Sequence, residues 1–238
     1  MMKMMILAPR RQDMSHAEFR HYLLDVHGPL VRSVEPVARD IRHYHYNFPL
    51  DGQSDDAFGH PLASHLDVIT QGWFDSRAAQ KRNMARPEYM AQVRPDEGRF
   101  ADEGRAIMHY TQEVVITDGP PTARKLFYLR RRRAGLDRDT FQSRWRAGMT
   151  EIVAESAAWA GVVQRYVQNH AMAETLHPAG SDTKFFDLID ELSLRDGAAI
   201  TALHDDAGLQ GDVAALENEL LDTSRTLAFA AETIRNID

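Results

Sequence analysis

Apolar residues along this chain come in short runs that alternate between two periods. Residues 4–8 are apolar on both faces, as a strand covered on both sides requires, and residues 126–129 repeat the pattern. After the first run, Phe19, Leu23, Val26 and Leu30 recur at three- and four-residue intervals, which predicts a helix with one buried face. Ser15 and Glu18 have the spacing of a capping box and set its start, and Asp137 stands as the N-cap at the matching place further on. The aromatic-rich residues 42–48, bounded by Pro49, read as a strand, and residues 66–74 as another. Ser76 caps a helix that runs irregularly past Pro87 and Pro95 to about residue 104, and residues 108–116 close the unit as a strand. The order β-α-β-β-α-β is the split βαβ, or ferredoxin-like, arrangement.

The same order occurs twice. Shifting the chain by 122 positions aligns residues 3–48 with residues 125–170 without a gap, and nine pairs are identical: Lys3/Lys125, Leu7/Leu129, Arg10/Arg132, Arg11/Arg133, Phe19/Phe141, Val31/Val153, Ala38/Ala160, Tyr44/Tyr166 and Asn47/Asn169. At a shift of 120, Asp67-Val68-Ile69 meets Asp187-Leu188-Ile189, and Glu97, Asp102 and Arg105 meet Glu217, Asp222 and Arg225. The change of shift falls in residues 51–64 and 171–183, read as loops, where length varies at little cost. Asp118-Gly119-Pro120-Pro121-Thr122 suits neither a helix interior nor a central strand. The expected organisation is therefore a first repeat over residues 1–118, a linker at 119–123 and a second repeat over 124–238. A four-stranded sheet with helices on one face must cover the other. The two sheets are expected to pack face to face as an internal pseudo-dimer.

Composition narrows the chemistry. With no cysteine, a disulfide framework, a thiolate nucleophile and a thiolate zinc site are excluded. A net charge of −7 opposes binding to phosphate backbones, so no nucleic-acid partner is expected; Arg130 to Arg133 read as the polar end of a strand entering a solvated loop. No apolar run reaches the roughly 20 residues of a membrane helix. Residues 1–7 are too short for the apolar core of a signal peptide, so a cytoplasmic location is expected.

Several motifs together resemble the EthD family of the dimeric α/β-barrel superfamily. They are the arginine-rich segment after the first strand, Ser15-x-x-Glu18-Phe19, His27-Gly28-Pro29-Leu30, Tyr44-x-x-Asn47, Asp67-Val68-Ile69 followed by Trp73-Phe74, and Asp96-Glu97 ahead of Phe100. The second half is similar through residues 163–169 and Asp187, then drifts. The resemblance implies an α+β fold in which two tandem ferredoxin-like repeats form an intramolecular dimeric α/β barrel. It also implies a small cofactor-independent enzyme or an accessory protein of polyketide tailoring or aromatic and ether breakdown. The wider superfamily includes cyclases, lactone isomerases, cofactor-free monooxygenases and haem-degrading enzymes.

Eight histidines lie in the first half and three in the second, which points to a functional pocket in the first repeat. His27 sits at the margin of the predicted apolar stripe, and Pro29 is expected to bend the helix just after it and leave room beside the imidazole. A partly buried imidazole suits a general acid or base, and its counterpart in the second half is Met149. Tyr44 is the candidate donor to a developing oxyanion, although Tyr166 is retained where the histidine is lost. Asp67 is placed to orient an imidazole, with Asp187 kept as well. His43 and His45 alternate with Tyr44, so they face the opposite side of the strand. His43, His45, Asp67 and Trp73 stand as substrate-contacting candidates; the alternative roles are packed or solvated histidines and a core tryptophan, and no metal or other cofactor is expected. The leading expectation is an acid–base enzyme of dehydratase, cyclase or isomerase type acting on a small apolar carbonyl, aromatic or polyketide-like compound. The alternatives are a cofactor-free or haem-linked monooxygenase and a non-catalytic binding or accessory protein. Whether the fused chain pairs with a second copy is left open.

Overall fold

The computed structural model describes residues 1–50, 58–173 and 185–237. Each repeat contributes four strands: β1 (Met2–Ala8), β2 (His43–Pro49), β3 (Val68–Phe74) and β4 (Ile107–Thr117), then β5 (Arg124–Arg130), β6 (Val163–Ala171), β7 (Leu188–Leu194) and β8 (Leu227–Ile237). All pairings are antiparallel, and the spatial order β1-β3-β2-β8-β5-β7-β6-β4 closes on itself. Each repeat thus keeps the ferredoxin-like order β4-β1-β3-β2 or β8-β5-β7-β6. β2 pairs with β8 and β4 with β6, so the two facing sheets are also joined at their edges and form the expected intramolecular barrel. Closure satisfies the edge N–H and C=O groups that two separate sheets would leave unpaired. Parts of the two loops read as sites of length variation lie outside the described residues.

Alternation along the strands sorts side chains between two cores. Odd positions of β1 point into the barrel, where Met5, Leu7, Ile69, Phe127, Leu129, Ile189 and Phe229 pack together. At one end of that interior the apolar fill gives way to charge. Lys3 Nζ lies 2.6 Å from Glu113 Oε1 and 2.9 Å from Glu191 Oε2, and Lys125 Nζ lies 2.5 Å from Glu191 Oε1. Burial alone would push the Glu191 carboxyl up, but Lys125 and Lys3 hold it well below its ordinary value.

Even positions of β1 point outward beneath the helices. The first repeat's cover runs α1 (His16–Tyr22), a π turn (Leu23–His27), α2 (Gly28–Ser33) and α3 (Glu35–Ala38), then α4 (Arg77–Met84), a second π turn (Tyr89–Val93) and α5 (Arg94–Glu97). The second repeat's cover is α6 (Arg138–Glu155), α7 (Ala157–Val162), α8 (Ala199–Asp205) and α9 (Ala207–Leu220). The predicted caps form: Ser15 and Glu18 exchange both capping-box bonds, and Ser76 and Asp137 cap α4 and α6.

Two expectations change. The first helix buries Phe19, Leu23, His27 and Val31, and Val26 is exposed. A π turn holds an extra residue per turn, which rotates the following positions out of the predicted stripe. Secondly, Arg130 and Arg131 are buried rather than solvated. Arg130 ion-pairs with Asp190 and, at 2.6 Å, with Glu217, so its charge is compensated inside the second repeat. Among the described residues no helix is long and apolar enough to cross a membrane.

Candidate active site

Two prolines shape the first repeat's helices over the sheet. Pro29 and Pro95 have no N–H to donate, and in both places the chain inserts a π turn just upstream. Gly28 N–H donates to Leu23 C=O and Arg94 N–H to Tyr89 C=O, each five residues back. The widened turn runs over Leu23–His27 and ends at Gly28-Pro29, and does not follow His27 as expected. α6 of the second repeat has no proline and runs unbroken for 18 residues.

Between these helices and the outer face of the sheet lies a cavity of about 280 Å³. Its walls are mostly apolar, from Met4, Ile6, Leu23, Val68, Phe74 and Phe100 among others, and its polar side chains include His27, Tyr44, Tyr89 and Glu97. Ring contact with Phe100, at 4.7 Å between centroids, packs the His27 imidazole. His27 Nδ1 lies 2.9 Å from Asp96 Oδ2, and Tyr22 O–H donates to Asp96 Oδ1 at 2.6 Å. The carboxylate can only accept, so Nδ1 carries the proton and Nε2 is left with its lone pair. Desolvation depresses the His27 pKa, with Asp96 pulling the other way, and the net shift is downward. The imidazole is therefore neutral at pH 7 and held in one tautomer, the state a general base requires. Burial of Tyr44 pushes its phenol well up, so it remains a donor.

The cavity thus brings His27 and Tyr44 together. The other four expected site residues sit elsewhere. His43, His45 and Trp73 point into the barrel, where Trp73 packs against both imidazoles at 5.8 and 4.9 Å and donates through Nε1 to Glu113 at 3.0 Å. Strand alternation did put His43 and His45 on the face opposite Tyr44. Asp67 orients no histidine of the cavity: it accepts from Arg10 N–H at 2.8 Å and Nη1 at 2.7 Å and lies 2.8 Å from His16 Nδ1. Asp187 makes the same clasp with Arg132 in the second repeat, which is why both acids are kept.

The partner of His27 is Asp96, a residue noted for its motif and given no role. A signal was present in the internal comparison, since the second repeat loses both members together: Met149 replaces His27 and Leu216 replaces Asp96. The same comparison explains why the cavity belongs to the first repeat. Ile6, Ala8, Leu23 and Val37 become Tyr128, Arg130, Trp145 and Trp159, all buried in the second repeat's core. Tyr166, the counterpart of Tyr44, donates to Asp190 at 2.7 Å within that packing.

Residues 11–104 match the EthD domain. The first repeat is an EthD domain. Beyond this EthD unit, the whole barrel is similar to an anthrone oxidase-like protein, with a TM-score of 0.65 at 8% identity over 100% of this chain and 94% of that one. It is also similar to a candidate monooxygenase of Fusobacterium nucleatum (TM-score 0.60, 5% identity, 98% and 91% of the two chains). A candidate chlorite dismutase aligns with a TM-score of 0.54 at 11% identity over 99% and 95%. At these identities the likeness establishes the barrel fold of the chain and leaves its reaction to the site. No curated protein matches the chain.

Proposed function

We propose that the first repeat is a cofactor-independent acid–base enzyme of dehydratase, cyclase or isomerase type, acting on a small, largely apolar carbonyl or aromatic compound. The observation that carries this reading is the His27–Asp96 pair at 2.9 Å on the wall of a mostly apolar cavity. In the first step Nε2 takes a proton from a carbon next to a carbonyl, or from a phenol. The C–H or O–H electron pair stays on the substrate as an enolate or phenolate, and Asp96 stabilises the imidazolium that forms. Tyr44 donates a hydrogen bond to the oxygen where charge develops. Returning the proton to another atom completes an isomerisation; in a dehydration the imidazolium gives that proton to a departing hydroxyl, the C–O bond breaks, and water leaves with His27 neutral again.

A haem-linked reaction does not fit this cavity. About 280 Å³ lies at the small end of ligand pockets. Glu97 and Glu103 line it, and the cation beside them, Arg94, is already shared between them, where the two propionates of a porphyrin would call for free cations.

The test is hydrogen exchange in deuterated water with a series of small aryl ketones and phenols, followed by NMR and mass spectrometry. Wild-type protein should label the acidic position of a bound compound, and His27→Gln should slow the labelling by about a hundredfold or more. Equal rates in both would overturn the base assignment. Binding without exchange would instead support a carrier or accessory protein, and oxygen uptake would support a cofactor-free monooxygenase.

A further inference from the structure

One of the carboxylates that the two repeats share is treated in opposite ways. In the second repeat Glu217 on α9 lies 2.6 Å from Arg130 Nη1 and 2.9 Å from His60 Nε2, so its charge is met inside the protein. Glu97 on α5 is its counterpart in the first repeat, and the strand position of Arg130 is taken by Ala8. Ala8 and Glu97 both line the cavity. The first repeat has kept the acid and removed the cation, and the space the guanidinium would fill is part of the cavity.

What remains around Glu97 does not replace that cation. Tyr89 O–H donates to Oε1 at 2.6 Å. Arg94 Nη1 reaches Oε2 at only 3.3 Å and is shared with Glu103. Arg94, Glu97 and Glu103 thus bring one positive and two negative charges to the cavity wall. Burial raises the Glu97 pKa, as expected for an acid whose charge is incompletely met.

We propose that Glu97 is the specificity-determining residue of the cavity: it accepts a hydrogen bond from a hydroxyl of an uncharged hydroxy-aromatic ligand, which stands where Arg130 stands in the second repeat, and it turns away anionic ligands. This rests on the reading that the cavity binds a small substrate and does not depend on which proton His27 moves. A carboxylate ligand would have to lose its hydration beside a like charge, whereas a phenolic hydroxyl adds a further donor to those Glu97 receives from Tyr89 and, at 3.3 Å, from the shared Arg94.

The probes are resorcinol, benzoate and benzylamine, which share a ring and differ in charge, with binding measured by ligand-observed NMR and calorimetry. Wild-type protein should bind resorcinol about tenfold or more tighter than benzoate, the worth of one charge-assisted hydrogen bond. Glu97→Gln keeps an acceptor for Tyr89 and should narrow that gap to about threefold or less, mainly by admitting benzoate. Glu97→Asp keeps the charge and should preserve the order of the three. Circular dichroism confirms that each variant is folded. Benzoate binding as tightly as resorcinol, benzylamine binding tightest, no probe binding, or a gap unmoved in Glu97→Gln would each overturn the assignment. His27→Gln separates the two proposals, because it should abolish exchange and leave the order of binding as it is in the wild type.

Discussion

His27 and Asp96 stand 69 residues apart in the sequence and 2.9 Å apart in the fold, joined through Nδ1 and Oδ2. A π turn on one helix and a π turn beside α5 bring them there. Asp96→Asn tests what the carboxylate contributes. An amide is neutral and can donate as well as accept, so it neither fixes the tautomer nor stabilises an imidazolium. Labelling of an exchangeable substrate should fall by about a hundredfold. Nitrogen-15 shifts of His27 should show a mixture of tautomers in place of one, and a single unchanged tautomer would refute the orienting role.

The depressed pKa of His27 also has a consequence for stability. In the folded protein His27 protonates at lower pH than the ordinary value of 6.5, so below that value the unfolded chain binds more protons. The contribution is complete above pH 6.5 and is lost as pH falls toward the folded value. His27→Gln should flatten the part of the curve that falls away below pH 6.5, measured by urea unfolding at each pH. The same titration should remove base activity on the acid side.

Gly28 permits the close approach that follows His27. A Cβ there would lie 2.8 Å from Asn236 Oδ1 and 2.9 Å from Leu23 C=O, the acceptor of the π turn itself. Replacing a helical glycine by alanine ordinarily gains up to about 1 kcal/mol. Here the sign should reverse, and Gly28→Ala should lose about 1–3 kcal/mol because a backbone oxygen cannot move aside cheaply. Thermal unfolding reads the stability, and a gain would show that the turn relaxes freely.

The fold was legible from the sequence because its signals are local and occur twice. Strand alternation put His43 and His45 on one side of β2 and Tyr44 on the other, and Ser15 with Glu18 marked the helix start. The π turns were not legible, since a regular 3.6-residue wheel puts Val26 and Leu30 inward and His27 at the edge, whereas the inserted residue buries His27 and Val31. Edge pairing of β2 with β8 left no mark of its own, because a strand facing an edge partner has the same alternation as one facing solvent. Arg130 was misread for a similar reason. A run of arginines looks the same whether solvated or, as here, paired to Asp190 and Glu217, and those partners lie 60 and 87 residues away.

Inside the barrel, Glu191 is shared by Lys3 of the first repeat and Lys125 of the second. Glu191→Ala leaves two buried ammonium groups with one fewer acid between them, and should cost about 3–5 kcal/mol. Because the Glu191 pKa is held below the ordinary carboxylate value, its stabilisation is present above the unfolded value of 4.5 and is lost as pH falls below it. Acid unfolding of the variant should therefore be shallower than that of the wild type. Both repeats contribute to this cluster, so urea unfolding should remain one cooperative transition at any probe; two separate transitions would show that the repeats fold independently.

The second repeat offers the converse experiment. Arg130→Ala alone leaves Asp190 without a cation and Glu217 with His60 alone, and opens a void beside Trp145, so a loss of about 3–5 kcal/mol is expected. Thr70 is the first-repeat counterpart of Asp190. Adding Asp190→Thr to Arg130→Ala removes one stranded charge along with its cause, and the double variant should be more stable than Arg130→Ala by about 1–3 kcal/mol. A double variant no more stable than the single would mean that filling the space, rather than pairing the charge, is what Arg130 contributes. The first repeat has already made both replacements, with Ala8 and Thr70 at the wall of its cavity. The cavity beneath the helices is stable there because Thr70 stands where Asp190 would leave a buried acid, and the half-buried Glu97 is the acid that the ligand is proposed to meet.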